Sequence, residues 1–369
     1  MAAAQSGGPV TTAAPAVKLD GAKAVRAGEE LPAAPLEAWL QASVPGLQPP
    51  FAVTQFPRGH SNLTYLVTDS VNRELVLRRP PFGSKVKTAH DMGREFRILS
   101  HLSGAFPLAP RPLAHCDDPA VLGAPFYAME RLRGVIFRGA TPPVELTPEK
   151  KRQIDESLID TLADLHAFDY RKAGLEALGK PEGYIGRQIS GWTKRYADAK
   201  TDDLPEIESI AAWLEKRQPR ESGAALIHND YKFDNVVLDA EDPARIVGIL
   251  DWEMSTLGDP LMDLGTALAY WVEEGDRDEL KTLAFGPTLL AGSLTRRELA
   301  ERYARRSGRD VSGIVFHYCF SLFKNAVVLQ QIYARYKAGL TKDERFAALI
   351  FGVNLLGQEA VRASERGTI

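Results

Sequence analysis

The stretch "LIHNDYKFDNVVLD", Leu226–Asp239, sets two short apolar runs around a polar patch. Within eight residues that patch holds a histidine, two aspartates, a lysine and two asparagines. Polarity placed between strand-like runs is costly unless each group has a partner or a task. An aspartate followed, after four residues, by an asparagine has such a task. Asp230 can accept the proton of a substrate hydroxyl, and Asn235 can offer its carbonyl oxygen to Mg²⁺. Sixteen residues past Asn235, in "IVGILDWE", Asp251 closes the apolar strand Ile246–Leu250, where a carboxylate can be presented into a cleft. The flanking runs "ALI" and "VVL" are expected to anchor the loop as a rigid hairpin.

Composition frames that reading. The chain has 369 residues, 44% hydrophobic and 25% charged, which suits two domains or one large bilobal one. With 45 basic and 48 acidic side chains the net charge is -3, so no global field points to a nucleic-acid or membrane partner. Cys116 and Cys319 are too few and too far apart for a disulfide framework or a zinc site. They read as buried hydrophobes in a reducing cytoplasm. No apolar run approaches the ~18 residues that span a bilayer, and the first residues contain no signal-peptide core. Residues 1–28, rich in Ala, Gly, Pro and Thr, are expected to be disordered.

Periodicity then predicts an α+β chain. Leu36, Trp39 and Leu40 lie at helical spacing. "FAVTQFPRGHSNLTYLVTD" reads as strand, tight turn, strand, and "RELVLRRPP" as a third strand stopped by two prolines. Met92, Phe96, Leu99 and Leu102 form one helical stripe, and "PFYAMERL" is a buried strand. Beyond residue 131 the pattern is mostly helical. Thr147 caps a helix with Pro148 at its first position, and Thr341 to Glu344 reads as a capping box. The expected organisation is a small lobe over 29–130 and a larger, mostly helical lobe over 131–369, with a ligand in the crevice between them.

The run from His228 to Asn235, the following "ILDWE" and the later "LGDPLMDLG" together resemble the aminoglycoside phosphotransferase and choline kinase family. Within it, the chain is most similar to the kinase-like domains fused to acyl-CoA dehydrogenases. The resemblance implies a protein-kinase-like bilobal fold, with a small antiparallel sheet and one main helix above a larger helical lobe. It implies ATP and Mg²⁺ as cofactors, a small-molecule acceptor and a functional link to an acyl-CoA dehydrogenase.

The resemblance also distributes roles. Asp230 is the general base, and Lys232 touches the transferred phosphate. Asn235 and Asp251 hold Mg²⁺, while His228 and Asp263 brace the loop. Arg78 stands where kinases of this kind carry a lysine for the α and β phosphates. Glu95, a carboxylate on the apolar stripe of its helix, needs a cationic partner, and Arg78 supplies one. Ser61 and Asn62, in a turn with Gly59 as its one glycine, cover the phosphates. The backbone of Glu130 and Leu132 binds the adenine edge. Trp192 reads as core, with the acceptor side as its alternative place. The acceptor is expected to be a hydroxyacyl-CoA or hydroxy acid. An aminoglycoside or choline acceptor and an ATP-binding module without turnover are the alternatives. An aminoglycoside site would need acidic residues such as those of "WVEEGDRDE".

Overall fold

The computed structural model describes residues 19–57, 62–82, 91–341 and 343–369. Helix α1 (Ala33–Ser43) precedes strands β1 (Ala52–Gln55), β2 (Leu63–Thr68) and β3 (Glu74–Arg79). Helix α2 (Met92–Leu102), β4 (Pro112–Cys116), the single-turn α3 (Pro119–Leu122) and β5 (Phe126–Glu130) follow. The five strands form one antiparallel sheet in the order β1-β2-β3-β5-β4.

The two-residue period of the strands sorts its side chains onto opposite faces. Leu75, Leu77, Phe126 and Ala128 pack with α1, whereas Val76, Tyr127 and Met129 join the cluster that continues through α2 into the helical part. Arg78 therefore shares the Val76 face, beside its register partners Thr64 and Tyr127. Arg79 lies on the other face and is buried.

The expected disorder of residues 1–28 needs correction where they are described; residues 1–18 lie outside the described residues. Lys23 pairs with Gln55 through two backbone hydrogen bonds of 2.8 Å, along the outer side of β1. Asp20 donates its N–H to Gly134 O at 3.1 Å and pairs with Arg138. An edge strand offers unpaired backbone groups to any neighbouring chain, and composition does not register that offer.

The helical part opens with α4 (Pro148–Ala167), α5 (Tyr184–Ala199) and α6 (Pro205–Lys216). Thr147 caps α4 by accepting the N–H of Lys150 at 3.2 Å. Ile154, Leu158, Leu162 and Leu165 are its buried stripe. Four short strands come next: β6 (Ala225–Ile227), β7 (Val236–Leu238), β8 (Ile246–Ile249) and β9 (Thr256–Gly258). Helices α7 (Pro260–Ala269), α8 (Asp278–Lys281), α9 (Arg296–Ser307), α10 (Ile314–Lys337) and α11 (Leu349–Arg366) complete it.

Two local expectations are overturned. The runs flanking the polar loop do not pair with each other as a hairpin: β6 pairs with β9, and β7 with β8. The loop contains a 3-10 turn at Phe233–Asn235 and separates the two runs, so each finds a later strand instead. The cap near residue 344 is Asp343, which accepts the Arg345 N–H at 3.1 Å, and not Thr341. Both cysteines are buried and unpaired. Among the described residues no helix is long and apolar enough to cross a membrane.

Two glycines set close approaches. A Cβ on Gly134 would lie 2.3 Å from Leu238 O. Beside it, Val135 and Leu238 exchange two backbone hydrogen bonds of 2.8 Å, which ties the segment after β5 to β7. On α7, a Cβ on Gly265 would lie 2.5 Å from His317 O on α10. Gly265→Ala is therefore expected to force these helices apart, costing about 1–3 kcal/mol, read as a lower urea midpoint at unchanged slope.

Candidate active site

The cavity between the sheet and the helical part measures about 310 Å³. Arg78, Asn62, Glu130, Leu132, Asp230, Lys232, Asn235 and Asp251 all line it. Glu95 lies just behind, bonded to Arg78. Ser61 and Gly59 lie outside the described residues.

Arg78 organises one wall. From β3 its Nη1 donates to Glu95 Oε1 on α2 at 3.0 Å. Its Nη2 donates to Asp251 Oδ1 at 2.5 Å and to Glu253 Oε2 at 3.2 Å. Burial works to raise the Asp251 carboxyl, but Arg78 outweighs it and holds the group below its ordinary value. Glu95 is 1% exposed, and there burial wins over Arg78 and raises the carboxyl. Glu95 Oε1 also accepts the N–H of Trp252 at 3.2 Å. Arg94, one residue earlier on α2, donates to Glu253 O at 2.8 Å and Ser255 O at 2.5 Å. Helix α2 thus grips the Asp251–Ser255 segment by both kinds of backbone group. Asn62 Nδ2 adds a hydrogen bond of 2.6 Å to Glu253.

The opposite wall is the polar loop. The Asp230 carboxylate accepts from Lys232 at 2.6 and 2.7 Å, from Asn235 Nδ2 at 2.8 Å and from the Tyr270 hydroxyl at 2.8 Å. Asn235 also accepts the Leu250 N–H on its backbone oxygen at 2.8 Å, which sets it next to Asp251. Asn229 and Asp251 both take left-handed backbone, each at φ 66°.

His228 has both ring nitrogens engaged. Nδ1 accepts the Asp230 N–H at 3.3 Å, so Nε2 carries the proton and donates to Leu250 O at 2.9 Å. Its ring thus braces the loop against Leu250. Asp263 on α7 holds the same loop from below. It accepts the backbone N–H groups of His228 at 2.6 Å and Asn229 at 2.7 Å, and pairs with His166 Nε2 at 3.1 Å. Lys324 of α10 donates to Asn229 O at 3.0 Å.

Glu130 and Leu132 lie on the segment after β5. The Glu130 N–H is taken up by Arg111 O at 2.9 Å. Trp192 is only half-buried, between the Arg195 guanidinium at 4.7 Å and the Lys324 ammonium at 5.9 Å from its ring centre. Sequence reasoning missed Tyr270, Glu253, Arg94, His166 and Lys324. Of these, only Glu253 carried a local signal, as a second carboxylate two residues after Asp251.

The donor set suits a hard cation in part. Asp251, Asn235 and Glu253 offer oxygens, yet among the described residues no group of three or more His, Cys, Asp or Glu is arranged to hold a metal ion. Magnesium is commonly held by one or two carboxylates together with substrate phosphates and water, so the residues present fit that ion.

The pattern of the phosphotransferase enzyme family matches residues 52–303. Acyl-CoA dehydrogenase family member 11 of Rattus norvegicus is 33% identical over 347 residues, covering 90% of this chain and 43% of the relative. The chain thus spans less than half the length of that relative. A crystal structure from Ralstonia eutropha, described as a candidate aminoglycoside phosphotransferase, superposes with a TM-score of 0.78 at 28% identity. It covers 91% of this chain and 99% of that one. Choline kinase from Cryptosporidium parvum has a TM-score of 0.61 at 12% identity, over 90% of this chain and 95% of that one. The fold is protein-kinase-like and bilobal.

Asp263 yields a pH-dependent prediction. Burial works to raise its pKa, but His166 and the His228 N–H hold it below the ordinary value. A carboxyl depressed in the folded state stabilises the fold above its unfolded pKa, and that contribution fades as pH falls through the folded one. Asp263→Asn is expected to cost about 3 kcal/mol at pH 7. The deficit against the parent should shrink below about pH 4, as measured by urea unfolding across pH.

Proposed function

Because the chain belongs to the phosphotransferase enzyme family, we propose that it moves the terminal phosphoryl group of ATP, bound with magnesium, onto a hydroxyl of a small molecule. The observation that carries this reading is one cavity shared by Asp230, Asn235, Asp251, Lys232 and Arg78. Phosphoryl transfer needs little covalent help from the protein; it needs positioning and charge neutralisation.

The chain's residues divide the work. Arg78 has a planar fork suited to two phosphate oxygens. Lys232 neutralises charge on the phosphoryl group in flight. Asp230 orients the acceptor hydroxyl and takes its proton. Asn235 and Asp251 hold magnesium, which when bound screens the phosphate charge. Asn62 covers the phosphates, and the Glu130 carbonyl together with the Leu132 backbone meets the adenine edge.

The proposed acceptor is a hydroxyacyl-CoA or hydroxy acid. Relatives named as acyl-CoA dehydrogenase family members support that class and a functional link to such a dehydrogenase. A polycationic aminoglycoside is less well served. Glu273 and Asp276 of the acidic stretch are engaged by Arg296, and Glu274 and Asp278 by Lys281. Two buried thiols support a cytoplasmic setting. One observation favours a nucleotide-binding module without turnover: Asp251 is already paired with Arg78.

Phosphorylation screens with ATP and Mg²⁺ across hydroxyacyl-CoAs, free hydroxy acids, aminoglycosides and choline separate these readings by the mass of the product. Asp230→Ala is expected to keep nucleotide affinity and lower turnover by at least about 100-fold. Asp251→Ala should instead weaken Mg-ATP binding in calorimetry. Nucleotide binding with no product from any acceptor would establish the module.

A further inference from the structure

Three side chains donate to the Asp230 carboxylate, and two of them belong to its own loop. The third, Tyr270, stands 40 residues further on at the end of α7 and places its hydroxyl 2.8 Å from Oδ1. Its ring is held from several directions. Phe285 meets it edge to face at 5.2 Å, and the Lys232 ammonium lies over it at 4.5 Å from the ring centre. Its backbone N–H closes the last turn on Ala267 O at 3.3 Å. Burial, followed by the charge of Asp230, pushes the phenol well above its ordinary value, so it is a donor at any neutral pH.

The contacts crowd the carboxylate. Oδ1 accepts from Lys232 and Tyr270, and Oδ2 from Lys232 and Asn235. An acceptor hydroxyl reaches Asp230 only if one donor withdraws. Lys232 is the one with cause to leave, because its ammonium sits on a flexible stem and an incoming phosphoryl oxygen competes for it. Tyr270 and Asn235, one on each oxygen, then keep the carboxylate plane fixed.

The geometry points to Tyr270 as a positioning residue for phosphoryl transfer, holding Oδ1 so that the lone pair released by Lys232 faces the acceptor. This rests on the kinase reading above. In the step served, the acceptor O–H bond breaks with its proton passing to Asp230. The new O–P bond forms as the bond to the nucleoside diphosphate breaks, and that diphosphate leaves with the electron pair.

Tyr270→Phe keeps the ring and removes only the hydroxyl. With Mg-ATP and whichever panel acceptor is phosphorylated, or water as acceptor read by phosphate release, kcat is expected to fall about tenfold or more, with KM for Mg-ATP held within about twofold. The thermal midpoint should stay put. In an Asp230→Ala background the same change should cost nothing further, because Tyr270 acts through that carboxylate. Unchanged kcat in Tyr270→Phe, or losses that multiply in the double variant, overturn the proposal. If Asp230→Ala leaves transfer untouched, or the parent chain transfers to none of these acceptors, the kinase reading itself fails and this role goes with it.

Discussion

One guanidinium ties the molecule together across its cleft. Arg78 leaves β3, pairs with Glu95 of α2 and reaches the carboxylates of Asp251 and Glu253 beyond β8. Buried ions add little net stability, since desolvation offsets much of their attraction. What they supply is registration. Hydrogen bonds of 2.5–3.2 Å from one planar group to three carboxylates hold sheet, helix and loop in a narrow range of mutual positions. Arg94 strengthens the same joint from the adjacent position on α2. Any ligand entering the cleft therefore meets an ion network already drawn across it.

The facing wall gains its stiffness from a different chemistry. Asp263 gathers two backbone N–H groups of the loop, and His228 spans from that loop to Leu250. These contacts hold Asn229 in left-handed backbone, while Arg78 and the Glu95–Trp252 hydrogen bond hold the Asp251 segment. For a residue other than glycine that conformation costs roughly 1–2 kcal/mol. Both strained positions border Asp230 or belong to the proposed metal site, where surrounding bonds over-determine the chain.

Much of this was legible in the sequence, and the reasons for the rest are physical. Strand alternation put Arg78 and Arg79 on opposite faces, and a carboxylate on the apolar stripe of α2 required the cation it has. The loop residues were legible because they lie within one short run. Tyr270 and Lys324 were not, because they reach the loop from 40 and 95 residues away. Periodicity names the buried face of a helix and is silent on which distant loop its end meets. The hairpin expectation failed for a related reason: adjacency along the chain stood in for pairing in space. The edge contact of Lys23 with Gln55 was hidden by a composition that argues for disorder.

The arginine at position 78 also changes how the cleft can be probed. A guanidinium stays protonated and has no nucleophilic nitrogen at neutral pH. Amine-directed electrophiles therefore meet no reactive amine at this position. Lys232 is the one lysine among the described residues lining the cavity, so such reagents are steered away from the sheet and onto the loop that bears Asp230.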